Sequence, residues 1–145
     1  MIRAAVKSDA PQVYRLMAQL QQFAGVEVAQ EAAFTRQFSQ ILADPRFQVF
    51  VAEDSRAIQG VITVWLRESL FHGGRVALID ELIIDEGSRG QGIGSQLVDY
   101  VVTCCTRLGC VEVEVSTEAD NLAARTFYVK HGFAEQGILL ERELA

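Results

Sequence analysis

The chain has 145 residues, which corresponds to one domain with a substantial core, and 50% of them are hydrophobic. Its formal net charge of −6 argues against nucleic acid as a partner, because a nucleic-acid-binding surface is basic. The apolar runs are too short for a membrane span, and the first residues are too polar for a signal peptide. The three cysteines do not have the spacing of metal ligands, and we expect them to be reduced thiols. We therefore expect a cytoplasmic protein with no metal, no membrane contact and no nucleic-acid partner.

In chain order, the first half of the sequence predicts a strand, two helices and two further strands. Ser8 or Asp9 caps the first helix, which has Pro11 in its first turn, and the second helix ends before Pro45. The short connections between neighbouring strands make them antiparallel. The three predicted strands cover residues 2–6, 47–53 and 57–66.

The second half predicts a buried strand, a helix, a parallel strand, a last helix and a last strand. Gly73 and Gly74 mark the turn into the first of these strands. The helix at about 92–107 has an apolar face broad enough to lie on a sheet, and the strand after it returns parallel by a right-handed crossover. The predicted strands cover 76–85, 111–115 and 138–144, and the last helix covers 121–131.

A glycine-rich turn connects the fourth predicted strand to the helix that follows it. The turn carries one arginine and then three glycines at alternate positions, Arg89, Gly90, Gly92 and Gly94. Residues without a Cβ atom let main-chain N–H groups converge on an anion at the positive end of a helix. There is no Gly-Lys pair for a nucleoside-triphosphate loop, and Ser95 stands where the dinucleotide fingerprint needs its third glycine. The turn predicts another phosphate-bearing ligand; the alternative is that its glycines serve turn geometry alone.

Two motifs resemble those of the GNAT superfamily of N-acetyltransferases, whose ligand is acetyl-coenzyme A. Residues 89–94 resemble its pyrophosphate loop, Gln/Arg-x-x-Gly-x-Gly/Ala, and residues 121–133 are similar to its downstream motif of an Asn, a Phe-Tyr pair and a closing Gly-Phe. Residues 2–10 are similar to its opening strand and helix cap. The resemblance implies one GNAT acetyltransferase domain over 1–145. Its α/β fold is a single mixed, mostly antiparallel twisted sheet of six to seven strands flanked by about four helices, with strands 4 and 5 parallel and splayed.

The same resemblance implies that acetyl-coenzyme A is the cosubstrate and assigns its contacts. Main-chain groups of the fourth strand hold the pantetheine arm, and an N–H near Ile83 polarises the acetyl carbonyl. Asn121 hydrogen-bonds the arm or caps the last helix. The implied cofactor-binding residues are Leu82, Ile83, Ile84, Arg89, Gly90, Gln91, Gly92, Ile93, Gly94, Ser95, Asn121 and Tyr128.

Acetyl transfer to an amine needs a neutral amine and a proton for the departing thiolate. By resemblance Tyr128 is the general acid; the alternative is a packing role on the last helix. Asp80 and Glu81 are charged residues in an apolar strand, where successive side chains face opposite sides, so only one is expected to point into the cleft. We favour Glu81 as the base, acting through one water, over a sheet-edge or ion-paired carboxylate.

The sequence therefore predicts an acetyl-coenzyme A dependent N-acetyltransferase that transfers the acetyl group directly, in a ternary complex, to a primary amine of a small molecule or protein. None of the cysteines stands at a recognised nucleophile position. The acidic composition favours a cationic acceptor, and Trp65 either lines the acceptor pocket or packs in the core. The alternatives are a non-catalytic sensor of acyl-coenzyme A and an enzyme for a longer acyl group; a homodimer is left open.

Overall fold

The computed structural model describes residues 1–24, 30–55 and 57–144. Over these ranges the chain forms five strands and four α-helices. The strands are β1 (Ile2–Ala4), β2 (Phe47–Glu53), β3 (Ile58–Ser69), β4 (Gly74–Ile84) and β5 (Glu112–Val115). The helices are α1 (Ala10–Ala24), α2 (Glu31–Ala43), α3 (Ile93–Arg107) and α4 (Leu122–Lys130). Short 3-10 turns at Lys7–Asp9 and Glu86–Ser88 precede α1 and α3.

The sheet has the strand order β1-β2-β3-β4-β5 and is antiparallel except at its last pair. β4 and β5 are parallel, as predicted, because α3 carries the chain back between them. Their pairing ends at Ile79 with Val115, whereas β4 continues along β3 to Ile84. In the described chain, residues 80–84 therefore have a strand on one edge only. A gap opens beside β4 beyond the end of β5.

Helices cover both faces of the sheet. α3 lies on one face, where Leu97, Val98 and Val101 are fully buried, which confirms the broad apolar face predicted for this helix. α1 and α2 lie on the other face and bury Leu16 and Phe38 in a second cluster. Among the described helices, none combines the length and apolar character needed to cross a membrane.

A buried carboxylate fixes the junction between β1 and α1. Asp9 accepts hydrogen bonds from the Arg3 guanidinium at 2.8 and 3.0 Å and from the Val6 N–H at 2.8 Å. Arg3 also donates to Glu53 on β2. The guanidinium and the amide hold the pKa of Asp9 below its ordinary value. The helix start predicted at Ser8 or Asp9 is confirmed to within a residue, since α1 begins at Ala10.

The prediction of a sixth strand at 138–144, and with it a sheet of six to seven strands, is wrong for the described chain. After α4, residues 134–144 run as an irregular segment outside the sheet. Ile138, Leu140 and Leu144 are 86%, 84% and 84% exposed. An alternating apolar pattern favours extended backbone, but a strand forms only where another edge accepts its hydrogen bonds. Within the chain this segment reaches no such edge.

Candidate active site

The turn between β4 and α3 has the backbone conformation that only its glycines allow. Gly90 and Gly92 have φ of +77° and +81°, and a Cβ atom at either position would meet nothing within 4 Å. Gly92 caps α3, and its C=O accepts the Gln96 N–H at 3.1 Å. The N–H groups of residues 93–95 precede the first hydrogen bond of the helix and have no acceptor within it. They lie at the positive end of the helix dipole. The turn therefore presents open space and several N–H donors to an anion.

Gly94 has a different role from the other two glycines. Its φ is not positive, and a Cβ atom there would lie at ordinary contact distances, 3.6 Å from the Phe127 ring and 3.7 Å from the Ile84 side chain. Gly94 thus marks where the first turn of α3 packs against α4 and β4. Ile93 buries its side chain under the same turn, whereas Gln91 is exposed at the tip of the loop.

Polar contacts attach the turn to β4 and to α1. The Arg89 Nε donates to the Ile84 C=O at 3.2 Å. The Asp85 carboxylate accepts from Gln19 at 2.9 Å and from Arg15 at 2.6 Å, and these two donors hold its pKa below the ordinary value. The Glu86 N–H donates to the Gln19 side chain. The carboxylate of Asp85, the first residue after β4, is therefore held by α1.

α4 brings the two predicted residues of the downstream motif against the same region. The Asn121 side chain accepts the Ala124 N–H at 3.1 Å, so it caps the helix. Tyr128 packs between Phe127 and Phe133, with ring centroids 5.0 and 5.5 Å apart. Burial raises the pKa of Tyr128 to about 12. Its phenol therefore keeps its proton at neutral pH.

His131, to which the sequence analysis gave no role, links the end of α4 to the first turns of α3. The His131 Nε2 lies 3.0 Å from the Ser95 Oγ, and its Nδ1 lies 3.1 Å from the Asp99 carboxylate. These contacts fix the Ser95 hydroxyl beside the first N–H groups of α3. The residues are more than thirty positions apart, so only the packing of α4 on α3 brings them together.

The end of β4 presents main-chain groups to the gap beside β5. The Asp85 N–H donates to the Gln59 C=O at 2.8 Å and therefore points toward β3. Because successive residues of an antiparallel strand alternate the direction of their N–H groups, those of Leu82 and Ile84 point toward the gap. The N–H of Ile83 points toward β3, and its side chain is buried under α1 and α2.

On the other face of the sheet, a cavity of about 420 Å³ lies between the strands and helices α1 and α2. Trp65 stacks on Phe47 with ring centroids 6.0 Å apart and is 38% exposed, so it lines the cavity instead of filling the core. The cavity is largely apolar, with two carboxylates on its β4 wall. Its main apolar lining comes from Met17, Phe34, Phe38, Ile41, Phe47 and Trp65.

Both carboxylates of β4, Asp80 and Glu81, line this cavity, and the expectation that only one would do so is wrong. Thr63 pairs with Glu81, but Val64 pairs with Ile79, so Asp80 is the extra residue of a β-bulge. A bulge breaks the two-residue alternation on which the expectation rested.

The Glu81 carboxylate accepts a hydrogen bond from the Thr63 hydroxyl. The hydroxyl oxygen of Thr63 in turn accepts a hydrogen bond from the Glu81 N–H at 3.0 Å. Burial raises the pKa of Glu81, and the neighbouring Asp80 carboxylate raises it further, against the opposing effect of the Thr63 bond. A carboxylate with a raised pKa is a stronger base at neutral pH. Thr63 was missed in the sequence because only the strand register shows that it faces Glu81.

A second group of charged residues was also missed. Arg67 on β3 pairs with Glu114 on β5 at 2.7 Å, and His72 in the β3–β4 turn pairs with Glu112 at 3.2 Å. The ligand-type atoms of His72, Glu112 and Glu114 lie within 4.8 Å of one another. The group lies at the start of β4, at the opposite end of that strand from the glycine-rich turn. Arg67 and Glu114 form an ion pair, whereas the contact of His72 with Glu112 is an ion pair only when the imidazole is protonated.

Residues 13–133 match the model of the Acetyltransferase (GNAT) family. The chain is 28% identical over 134 residues to the aminoalkylphosphonate N-acetyltransferase of Salmonella typhimurium strain LT2, covering 92% of this chain and 84% of that protein. It is 30% identical over 95 residues to the probable glucosamine 6-phosphate N-acetyltransferase 2 of Oryza sativa subsp. japonica, covering 62% of this chain. The match covers 55% of the rice protein, so the chain spans about half the length of this relative.

Solved structures share the fold over the whole described chain. A protein described as a transcriptional regulator from Bacillus halodurans C-125 superposes with a TM-score of 0.90 at 27% identity, covering 99% of both chains. An aminoglycoside acetyltransferase from an uncultured soil metagenomic sample superposes with a TM-score of 0.84 at 24% identity, covering 100% of this chain and 96% of that one. The chain belongs to the GNAT family of acetyltransferases, enzymes that take their acetyl group from acetyl-coenzyme A.

Proposed function

We propose that the chain is an acetyl-coenzyme A dependent N-acetyltransferase that transfers the acetyl group directly to a primary amine in a ternary complex. One observation carries the proposal. The open edge of β4 runs from the anion-binding turn to the bulge, where Glu81 faces an acceptor-sized cavity. A thioester held along that edge would have its acyl end beside the carboxylate. This arrangement supports direct transfer, because a donor and an acceptor bound there would need no covalent carrier.

In this proposal the main chain holds most of the cosubstrate. The N–H groups of residues 90–95, with the Ser95 hydroxyl and Arg89, bind the diphosphate at the helix N-terminus. Leu82 and Ile84 offer their edge-facing groups to the pantetheine arm, with Ile83 anchoring the strand from the core. The N–H of Leu82 is the candidate donor to the acetyl carbonyl, since it points toward the gap. The side-chain amide of Asn121 donates to the arm while its oxygen caps α4.

The chemistry follows from the two titratable groups. Glu81, through a water, removes a proton from the acceptor ammonium, and the neutral nitrogen attacks the thioester carbonyl carbon. The C–N bond forms, the C–S bond breaks, and the departing thiolate takes the proton of the Tyr128 phenol. The nitrogen then loses a second proton, which returns through water to the Tyr128 phenolate. The proton that Glu81 removed is therefore the one proton released per amide formed. The raised pKa of Glu81 favours the first step. The Tyr128 phenol is protonated at neutral pH, although its raised pKa makes it a weaker acid than an exposed phenol.

The state of the cysteines supports direct transfer. Cys104, Cys105 and Cys110 are free thiols, and burial raises the pKa of Cys105 to about 12. A thiol with that pKa holds almost no thiolate at neutral pH and is a poor nucleophile. Free thiols also fit the cytoplasmic location that we propose.

We propose a cationic amine with an apolar body as the acceptor. The cavity offers Asp80 and Glu81 to an ammonium group and aromatic side chains to its body.

Three arginines beside Trp65 line a neighbouring cavity of about 520 Å³, but each is ion-paired with a carboxylate. The acceptors named for the two relatives carry a phosphonate or a phosphate. An anionic amine that displaces these ion pairs is therefore the second candidate. The three arginines are Arg46, Arg67 and Arg75.

A panel of amines assayed for coenzyme A release tests the proposal. Polyamines, aminoglycosides and lysine-like amines should be acetylated faster than glutamate or aspartate at low salt, with an advantage that shrinks as ionic strength rises. An aminoalkylphosphonate and glucosamine 6-phosphate represent the second candidate. If an anionic amine outperforms every cationic one at low salt, the cationic assignment is wrong.

The role of Glu81 is tested with the best amine. Glu81→Gln should lower turnover by about a hundredfold or more and remove the fall in rate that the wild type shows as pH drops through the raised pKa of this carboxyl. Glu31→Gln, which changes an exposed carboxylate in the first turn of α2, is the matched control. Binding of acetyl-coenzyme A without acetylation of any amine would favour the non-catalytic sensor. Faster turnover with a longer acyl-coenzyme A would favour the other alternative.

A further inference from the structure

Three polar side chains form a chain of hydrogen bonds at the N-terminal end of α3. The His131 Nδ1 lies 3.1 Å from a carboxylate oxygen of Asp99, and the His131 Nε2 lies 3.0 Å from the Ser95 Oγ. The histidine side chain is 14% exposed, and the centroid of its ring lies 4.7 Å from that of Phe127. The imidazole is therefore held between a carboxylate and a hydroxyl that the proposed function places at the diphosphate.

The carboxylate determines what the ring offers to the hydroxyl. A carboxylate only accepts hydrogen bonds, so the His131 Nδ1 carries the hydrogen that points to Asp99. In a neutral imidazole Nε2 is then an acceptor, and the Ser95 O–H donates to it. In a protonated imidazole Nε2 donates to the Ser95 oxygen, which frees the hydroxyl hydrogen for another acceptor. The protonation state of the ring thus sets the direction of the Ser95 hydroxyl.

A diphosphate at the turn distinguishes these two states. The oxygens of a diphosphate diester only accept hydrogen bonds, and beside a neutral ring the Ser95 hydroxyl would present only its lone pairs to them. Beside a protonated ring the same hydroxyl donates to the diphosphate, and the ring adds a positive charge to the N–H groups of the turn. A ligand that binds one state more tightly shifts the equilibrium toward that state.

We propose that His131 is a positioning residue that takes up a proton when coenzyme A binds and thereby turns the Ser95 hydroxyl toward the diphosphate. The role needs the diphosphate at the β4–α3 turn and therefore rests on the proposed function. It adds a side chain of α4 to a cofactor site that is otherwise built from β4, the turn and the start of α3.

The charges around the ring are consistent with this role. Asp99 of α3 completes an ion pair with the ring when the imidazole is protonated. On α4, Lys130 precedes the histidine in the chain, and Arg125 pairs with Glu135. The turn contributes Arg89, whose Nε donates to the main chain of β4. A bound diphosphate adds negative charge to this group, which favours the imidazolium over the neutral ring.

The same connectivity of carboxylate, imidazole and hydroxyl orients the nucleophile of serine hydrolases, but two features argue against that chemistry here. The Asp99 side chain is 73% exposed, whereas the carboxylate of a hydrolase triad is buried. Ser95 lies at the turn where the diphosphate would bind, whereas the thioester would lie toward Glu81. The Ser95 hydroxyl is therefore a ligand-binding group.

Calorimetry in buffers of different ionisation enthalpy counts the protons that are taken up on binding. The probe is dephospho-coenzyme A, which keeps the diphosphate but lacks the 3′-phosphate monoester, a group that itself titrates near pH 6. At pH 7.5 the wild type should take up about half a proton per ligand, because an imidazole is mostly neutral there before the anion binds. The Kd of the wild type should rise by about five- to tenfold between pH 5.5 and 8.5.

Three variants assign the proton to its site. His131→Gln keeps an amide that can donate to the hydroxyl without titrating, and Ser95→Ala removes the hydroxyl. Both variants should bind the probe without proton uptake and with a Kd that does not change with pH. The matched control is His72→Gln, which changes the other histidine of the chain and should take up as many protons as the wild type. Circular dichroism spectra equal to that of the wild type show that each variant is folded.

The outcomes separate this role from the proposed function. Binding by the wild type without proton uptake would overturn the role of His131 and leave the cofactor assignment intact. Proton uptake that persists in His131→Gln or in Ser95→Ala would overturn it as well, and so would uptake that is lost in His72→Gln. If neither dephospho-coenzyme A nor acetyl-coenzyme A binds to the wild type, the cofactor assignment is wrong and the role of His131 is wrong with it.

Discussion

The sharpest test of the cofactor site compares two glycines that share a backbone conformation but not a location. Gly92 has φ of +81° and caps α3, whereas Gly73 has φ of +71° and lies in the β3–β4 turn. A Cβ atom at either would meet nothing within 4 Å. The two glycines stand at opposite ends of β4, an 11-residue strand. Gly92→Asp and Gly73→Asp therefore impose the same backbone strain, and only the first places a carboxylate where the diphosphate would bind.

The expected magnitudes separate strain from ligand binding. A side chain forced into the left-handed region costs about 1–2 kcal/mol. With an unfolding entropy of about 2.1 cal/mol/K per residue, the melting temperature of a chain of 145 residues should fall by about 3–7 °C in both variants. Acetyl-coenzyme A at a hundred times its Kd adds about 2.7 kcal/mol, which raises the melting temperature by about 9 °C.

The assay is thermal unfolding with and without acetyl-coenzyme A. With acetyl-coenzyme A, the melting temperatures of the wild type and of Gly73→Asp should rise by the full amount, and that of Gly92→Asp should hardly rise. No shift in the wild type at millimolar acetyl-coenzyme A would refute the ligand assignment. An equal shift in Gly92→Asp would show that the diphosphate binds away from the turn. If the melting temperature of Gly92→Asp falls much further than that of Gly73→Asp without ligand, the turn stabilises the fold by more than the backbone conformation of its glycine.

Two further variants test the proposed acid and the β1–α1 junction. Tyr128→Phe should lower turnover by about ten- to a thousandfold while the Kd for coenzyme A stays constant. The control Tyr100→Phe, on the exposed side of α3, should change neither turnover nor this Kd. If turnover is unchanged in Tyr128→Phe, Tyr128 has only a packing role. Asp9→Asn should cost about 1–3 kcal/mol at pH 7 by denaturant unfolding, because Arg3 loses its buried partner. Since the pKa of Asp9 is lowered in the folded state, the cost should be full above about pH 4 and vanish as pH falls through that lowered pKa; Asp44→Asn, in an exposed pair, should show little at any pH.

Features that depend on local pattern were predictable from the sequence. The apolar face of α3 follows from 3.6-residue periodicity, and the order of helices and strands follows from turn residues and spacing. The positive φ of Gly90 and Gly92 agrees with the reason glycine is needed there. Gly94 shows the limit of that reasoning, since its backbone is helical and a methyl group would fit. Neither the backbone dihedral angles nor the packing of this position requires glycine.

Features that depend on register were not predictable. Strand alternation placed Asp80 and Glu81 on opposite faces, and the bulge opposite Thr63 put both carboxylates in the cavity. Nothing local to those residues indicates the extra position, because it is set by how β3 and β4 align. The same holds for the ion pair of Arg67 with Glu114, which spans β3 and β5. The sequence identified which residues carry charge in the sheet, and the register decided which of them meet.

The stability of the gap beside β4 depends on β5, which is the end strand of the sheet. This strand holds to the sheet by its pairing with β4 over Val76 to Ile79 alone, yet it forms one wall of the gap into which the proposed pantetheine arm inserts. β5 is hydrogen-bonded on one edge only in the described chain and is half-buried, so it is expected to open at a lower free energy than the central strands β2, β3 and β4.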